Sequence, residues 1–265
     1  MDLNNTPHRR KNILTGEWTL VSPHRTKRPW QGKKDKPQKV QQVNYDSTCY
    51  LCPGNDRMGG IKNPKYESIY VFKNDFAALL EKPEDFIKDG LFEAQSESGI
   101  CKVVCYSPNH GLTLPLMEID AIEEVIRLWK NEYKNLGNSP EINHVQIFEN
   151  KGAVMGCSNS HPHGQIWAQR SIPQEVQKKI IQQKNYWNKQ GSSLLGDYLK
   201  QEFESGERII LENDTFVALI PYWAVWPYET MIVPKRHVIS ISELSEQEVH
   251  DLSLIHISEP TRRRG

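Results

Sequence analysis

The sequence has no long apolar run and no excess of charge of one sign. Its 33 Lys and Arg residues balance 33 Asp and Glu residues, so the formal net charge is zero. Attraction to nucleic acid or to an anionic membrane needs an overall positive field, which is lacking here. No segment approaches the roughly 18 consecutive apolar residues of a membrane-spanning helix. The composition therefore argues against nucleic acids and membranes as partners.

The N-terminal segment shows no pattern typical of a secretory signal, and the sequence contains few cysteines. The N-terminal MDLNNTPHRRKN has no apolar core, which favours the cytoplasm. Five cysteines in 265 residues, an odd number, do not indicate the disulfide framework of a secreted protein. Metal ligands or core residues are the roles expected of them in a reducing compartment. A chain of this length can bury one large core or two small ones.

Residue spacing predicts a mixture of strands and helices. Strand-like runs occur at residues 68–72, 102–107, 144–150 and 165–169. Apolar residues recur at helical spacing from Ile122 to Leu136, and Asp120 with Glu123 resembles a capping box before them. A further helix is predicted over residues 174–188, with Val176, Ile180 and Ile181 facing inward.

Two parts of the chain resemble each other, which predicts an internal repeat. YVFKNDFAALL, VVCYSPNH and the first helix correspond to IILENDTFVALIP, TMIVPKRH and a helix that begins with the capping box of Ser245 and Glu248. Phe76 would then correspond to Phe216. The second copy ends before any equivalent of the later strands, so it is predicted to be incomplete.

The segment Asn150–Ala168, NKGAVMGCSNSHPHGQIWA, is the richest in chemically useful groups. Its glycines and its Ser-Asn-Ser sequence predict a turn whose backbone N–H and hydroxyl groups can approach phosphate oxygens. His161, His163 and Gln165 alternate, so in an extended chain their side chains lie on one side. A neutral imidazole is a nucleophile near pH 7, and attack by His163 on the α-phosphorus of a nucleotide sugar would give a nucleotidyl-histidine and a sugar 1-phosphate.

Several long segments, in order from about His8 to Leu252, carry a family resemblance. They are HPHGQIWA preceded by FENKGAVMGCSN, and also SPHRTKRPWQG, CYLCPGN, VFKNDFAAL and PYWAVWPYET. Together they resemble the galactose-1-phosphate uridylyltransferase family of the histidine-triad superfamily. The resemblance implies an α+β fold of antiparallel sheets flanked by helices. It also implies a homodimer in galactose metabolism that exchanges a uridylyl group between UDP-glucose or UDP-galactose and hexose 1-phosphates.

The same resemblance implies roles for individual residues. His163 would be the uridylylated nucleophile, and Gln165 would donate to the phosphoryl group without acting as a base towards water, which favours transfer over hydrolysis. Arg25 and Arg28 would help to hold the nucleotide sugar, because guanidinium groups suit phosphate. Asn74 and Asp75 would lie near the uridine and ribose. The implied substrate-binding residues are Arg25, Arg28, Asn74, Asp75, Asn150, Gly156, Cys157, Ser158 and Gln165.

A metal site is predicted at the pair Cys49 and Cys52, since a CxxC spacing brings two thiolates to one tetrahedral ion. The resemblance adds His110 and His161, which implies one structural zinc per chain with no open coordination position. A second metal site that many family members have is expected to be incomplete, because Lys179 stands where its glutamate is expected.

The resemblance divides the chain into three parts. Residues 1–172 would form the N-terminal repeat with the His-Pro-His segment, and residues 173–252 an incomplete C-terminal repeat. Residues 253–265 are expected to be a disordered tail foreign to the family. Two alternatives stay open: a related nucleotide phosphorylase or adenylyltransferase, and an inactive fragment stabilised by zinc because the chain is shortened.

Overall fold

The computed structural model of the protein describes residues 2–27, 29, 43–152, 155–157 and 159–257. Within them the α-helices are α1 (Ile119–Gly137), α2 (Gln174–Gln190), α3 (Leu194–Ser205) and α4 (Glu246–Ile257). The strands are β1 (His8–Lys11), β2 (Trp18–Val21), β3 (Tyr70–Lys73), β4 (Ile87–Lys88), β5 (Ala94–Gln95), β6 (Gly99–Cys105), β7 (His144–Phe148), β8 (His163–Gln169), β9 (Ile209–Glu212), β10 (Phe216–Leu219) and β11 (Met231–Pro234). No helix in these ranges combines the length and apolar character needed to cross a bilayer.

The described residues group into two compact units. The first unit takes its residues from Gln41–Ile172 and Val238–Gly265, and the second takes them from Met1–Val40 and Pro173–His237. The mixture of helices with antiparallel sheets confirms the predicted α+β class. The strands predicted from sequence in the first unit are also present, as β3, β6, β7 and β8, with ends shifted by a few residues.

The first unit is built on a four-stranded antiparallel sheet in the order β3-β6-β8-β7. On the central pair of strands, Cys105 lies opposite His163 and Val103 lies opposite Gln165. Side chains alternate between the two faces of a strand, so His163, Gln165 and Trp167 share one face of β8. The predicted alternation of the His-Pro-His segment is therefore realised in a regular strand.

Helix α1 covers the opposite face of this sheet. Ile122, Val125 and Ile126 are completely buried, as the helical spacing predicts. Lys102 of β6 bonds Glu132 of α1 at 2.6 Å, which places the helix on the face away from His163. The buried helix–sheet contact leaves the other face of the sheet available for a site.

The helix starts are partly as predicted. Helix α1 begins after Glu118, so Asp120 lies inside its first turn and does not cap it. Before α4, in contrast, the Ser245 N–H donates to Glu248 at 2.7 Å and the Glu248 N–H donates to Ser245 at 3.2 Å. This reciprocal pair confirms the capping box at Ser245.

The second unit contains a three-stranded sheet in the order β11-β10-β9 and the hairpin β1-β2. Leu199 of α3 packs against Val217 and Val233 of the sheet. Helix α2 forms where predicted, but Ile180 and Ile181 are exposed by 46% and 53%, so the prediction that they face inward is wrong. Burial depends on which elements pack nearby, which helical spacing alone does not specify.

The two copies of the internal repeat differ in detail. Phe216 begins the central strand β10 and is 3% exposed, whereas Phe76 lies in a turn and is 69% exposed. The expected tail also differs from its prediction at its start, because α4 continues through Ile257. Residues 258–265 of that tail lie outside the described residues.

Candidate active site and metal centre

Four side chains of the first unit meet in one buried cluster, formed by Cys49, Cys52, His110 and His161. One ligand atom from each residue lies within 4.8 Å of all the others. The Cys52 Sγ is 3.4 Å from Nδ1 of His110 and 3.5 Å from Nδ1 of His161. Zinc bonds of about 2.3 Å to sulfur and 2.0–2.1 Å to nitrogen give a tetrahedral S···N edge of about 3.5 Å. The donor set therefore fits a tetrahedral metal ion.

Both imidazoles use their second nitrogen outside the cluster. Nε2 of His161 is 2.9 Å from the carbonyl oxygen of Ser107, and Nε2 of His110 is 2.9 Å from the hydroxyl of Ser160. Such partners orient histidine ligands in metal proteins. Burial lowers the pKa of His161 to about 4, so its ring is neutral near pH 7 and has a lone pair for a metal.

The surroundings of the Cys52 thiol change its pKa. Burial, followed by the neighbouring Cys49, raises the pKa of Cys52, and the hydrogen-bonding backbone of Asp46 offsets part of the effect. A buried thiol with a raised pKa stays protonated unless a cation stabilises its thiolate. The backbone N–H of Leu51 donates to Cys49 Sγ at 3.3 Å, which is favourable for a thiolate at that position.

Asn159 and Ser160 support this cluster, a role that sequence reasoning missed. The Asn159 side chain accepts from the His161 N–H at 2.8 Å and donates to Cys49 Sγ at 3.5 Å. Ser160 contacts His110 as described above. The sequence interpretation had placed both residues in a phosphate-binding turn. Their position directly before His161 was the available signal.

His163 and Gln165 line a cavity of about 220 Å³ on the face of the sheet that α1 does not cover. The residues that line it are Tyr50, Leu51, Phe72, Asn74, Asp75, Phe76, Val103, His163 and Gln165. Four residues that the sequence analysis assigned to the site, from β8 and from the end of β3, therefore meet in one place. The lining combines apolar and aromatic side chains with polar groups that point to a small, polar ligand.

The ring of His163 has a defined orientation. Its Nδ1 lies 2.8 Å from the carbonyl oxygen of His161. A carbonyl oxygen only accepts, so Nδ1 carries the proton and Nε2 of the neutral ring has the lone pair. The side chain of His161 thus belongs to the cluster of two cysteines and two histidines, and its carbonyl group binds the ring of His163.

At the other side of the cavity, Asn74 and Asp75 follow strand β3 directly. The side-chain oxygen Oδ1 of Asn74 accepts from the Phe76 N–H at 2.9 Å, which leaves the side-chain NH₂ to donate to a ligand. Arg57 Nε lies 3.7 Å from the Asp75 carboxylate, and the Arg57 guanidinium stacks over Phe72 at 3.8 Å from the ring centroid. This cation holds the carboxylate at the cavity edge.

The other predicted substrate-binding residues are not among the described residues that line the cavity. Asn150, Gly156 and Cys157 lie between β7 and β8, where Gly156 has the positive φ of 79° that favours glycine. The Cys157 N–H donates to the Gly152 carbonyl at 3.3 Å, so this donor is used within the turn. Ser158 lies outside the described residues.

The two predicted arginines belong to the N-terminal part of the chain. Arg25 is exposed in the 3-10 helix Pro23–Lys27, within the second unit. Arg28 lies outside the described residues. Arg25 is not among the described residues that line the cavity around His163.

Comparison with known proteins bears on the whole chain. Residues 1–173 match the family profile described as "Galactose-1-phosphate uridyl transferase, N-terminal domain", and residues 179–265 match the corresponding C-terminal domain. The second match includes the segment that sequence reasoning took for a foreign tail.

Individual relatives agree with the family profiles. A galactose-1-phosphate uridylyltransferase of Haemophilus influenzae is 51% identical over 94% of this chain and 71% of its own length. One of Schizosaccharomyces pombe is 44% identical over 95% of this chain and 73% of its own. A solved structure described as a uridylyltransferase has a TM-score of 0.71 and 26% identity, over 95% of this chain and 73% of that chain. The chain therefore belongs to the galactose-1-phosphate uridylyltransferase family and is a nucleotidyltransferase.

Proposed function

We propose that this protein exchanges a uridylyl group between UDP-glucose and galactose 1-phosphate through a covalent uridylyl-His163. The observation that supports this most directly is the orientation of His163, whose Nδ1 is bonded to the His161 carbonyl group while Nε2 carries the lone pair. The ring lines the same cavity as Gln165, Asn74 and Asp75. In this proposal the cavity contains the nucleophile, a hydrogen-bond donor for the phosphoryl group, and polar groups for the ribose.

In the first half-reaction, the Nε2 lone pair attacks the α-phosphorus of UDP-glucose. An N–P bond forms, and the bond from the α-phosphorus to the bridging oxygen breaks with its electron pair, which leaves as glucose 1-phosphate. The ring becomes positively charged, and the hydrogen bond from Nδ1–H to the His161 carbonyl oxygen strengthens as it does so. In the second half-reaction an oxygen of galactose 1-phosphate attacks phosphorus, and the N–P electron pair returns to the ring.

Gln165 favours transfer to a phosphate over hydrolysis. Its carboxamide donates to a phosphoryl oxygen but does not remove a proton from water near pH 7. An attacking phosphate oxygen is already ionised and needs no base, whereas water does. The remaining residues implied by the family, Arg25, Arg28 and the turn from Asn150 to Ser158, are proposed to contact phosphate and hexose.

The proposed reaction is tested by incubating the protein with UDP-glucose labelled in the uracil ring, without an acceptor. We expect the protein to retain label and to release an equal amount of glucose 1-phosphate. The bond should be labile to acid and stable to base, as a phosphoramidate is, and galactose 1-phosphate should remove the label as UDP-galactose. ADP-glucose labelled in adenine serves as the comparison, since preferential labelling by it would indicate the adenylyltransferase alternative. Label on a cysteine would contradict the mechanism.

We further propose that the ion held by Cys49, Cys52, His110 and His161 is a structural zinc. Thiolate and imidazole ligands suit zinc, and four protein ligands leave no open coordination position for a substrate. Zinc there would take no part in bond making. It would stabilise the segment before β8, and through His161 it would help to hold His163.

Replacing Cys52 with serine should remove this metal. We expect the zinc content, measured by mass spectrometry of the purified protein, to fall from about one per chain to near zero. The Tm should fall by roughly 5–15 °C, because metal binding contributes to folding free energy. Cys101→Ala is the matched control, since Cys101 is buried in β6 outside the cluster. Full zinc content in Cys52→Ser would rule out the ligand assignment.

A further inference from the structure

A third side chain, Trp167, follows His163 and Gln165 on the same face of β8. Its indole Nε1–H donates to the Oε1 of Gln165 at 3.1 Å, in a partly buried position. Trp167 is not among the residues that line the cavity. It therefore contacts Gln165 on the side away from the cavity and does not itself reach the reacting atoms.

This hydrogen bond distinguishes the two ends of the Gln165 carboxamide. An indole N–H is a donor only, so it fixes the oxygen of Gln165 on the side of Trp167. The NH₂ group is then the end left to face a ligand in the cavity. We propose that Trp167 is a positioning residue for uridylyl transfer, which holds Gln165 with its amide donor towards the phosphoryl group.

The opposite orientation of Gln165 is disfavoured at both ends. After a flip, the NH₂ group would meet the indole N–H, so two donors would face each other. The carbonyl oxygen would meanwhile face the negatively charged phosphoryl oxygens. A preset donor stabilises developing charge without reorganisation during the reaction, which is why its orientation before substrate binding matters.

Trp167 is itself held in place by its neighbours. Its ring lies edge-on to Phe148, with the centroids 5.5 Å apart and the planes at 80°. In the register of the sheet, Trp167 lies between Cys101 of β6 and Gln146 of β7. A phenylalanine at position 167 keeps an aromatic ring for Phe148 and lacks the N–H, so this substitution isolates the hydrogen bond.

The proposal rests on the proposed function and is tested on the labelling half-reaction. In Trp167→Phe we expect the rate of labelling at saturating UDP-glucose to fall about five- to tenfold, the usual effect of one hydrogen bond. The concentration giving half the maximal rate should change little. Trp187→Phe is the matched control, because Trp187 is 58% exposed on α2 and the same change there should leave the rate unaltered.

A double-mutant cycle separates positioning from a general structural role. In a Gln165→Ala background, Trp167→Phe should cause no further loss, because Trp167 acts only through Gln165. Additive losses, or a wild-type rate in Trp167→Phe, would overturn the proposal. Absence of label on the wild-type protein would instead contradict the proposed function itself.

A second measurement covers the case in which Trp167→Phe does not fold. The indole ¹H–¹⁵N resonance of Trp167 in the otherwise unchanged protein should shift when Gln165 is replaced by alanine, because the indole loses its acceptor. An unchanged resonance would overturn the proposal without reference to activity.

Discussion

Replacing His163 by glycine should abolish covalent uridylylation of the protein. We expect the rate of labelling by UDP-glucose to fall by at least about a thousandfold, because the attacking nitrogen is removed and no other group replaces it. The fold should be retained, since His163 is only partly buried and its ring is absent from the helix-covered face of the sheet. The measurement is protein-bound label after a short incubation.

A control variant shows whether the loss of labelling is specific to His163 or follows the removal of any histidine. His237 is exposed in the second unit, so His237→Gly should label at the normal rate. A His163→Gly protein that folds and still accumulates label on another residue would show that the nucleophile lies elsewhere. The circular dichroism spectrum and the zinc content of the variant establish that it is folded.

Gln165→Glu should have the second largest effect. The two side chains have the same shape, and an ionised carboxylate still accepts the hydrogen bond from Trp167. Its other oxygen, however, would face the phosphoryl group as an acceptor where an NH₂ donor is needed. We expect the labelling rate at saturating UDP-glucose to fall roughly 100- to 1,000-fold, as on removal of a transition-state donor.

The same substitution can be made four residues further along the strand. Gln169 lies on the same face of β8 but does not line the cavity, so Gln169→Glu should label normally. Gln165→Ala should fall between the wild type and Gln165→Glu, because it removes the donor without adding a charge. Equal rates for Gln165→Glu and the wild type would exclude a hydrogen bond from Gln165 to the phosphoryl group.

Local patterns in the sequence predicted one part of this arrangement, the strand that contains His163 and Gln165. The alternation of His161, His163 and Gln165 determines that their side chains share one side of an extended chain. The structure confirms a strand there, and it places Asn74 and Asp75 in the same cavity. The cluster of two cysteines with His110 and His161 also forms. Family motifs had suggested these distant partners, which spacing alone does not identify.

Other features could not be predicted because they depend on packing between distant segments. Ile180 and Ile181 have the spacing of a buried helix face, yet each is about half exposed. Asn159 and Ser160 contain donors that suit phosphate, but in the folded chain they contact Cys49 and His110. A polar side chain bonds whichever partner the fold brings within reach, and that partner here is far away in sequence.

The sequence by itself determined which chemistry is possible: an imidazole that can act as a nucleophile, a carboxamide beside it, and thiol and imidazole groups that can bind a metal. The tertiary structure decided which atom of each group is used. The carbonyl group of His161 leaves the lone pair of the neutral His163 ring on Nε2, and the indole of Trp167 binds the side-chain oxygen of Gln165. The physical reason is that hydrogen bonds are directional, so orientation follows from where a partner lies in space.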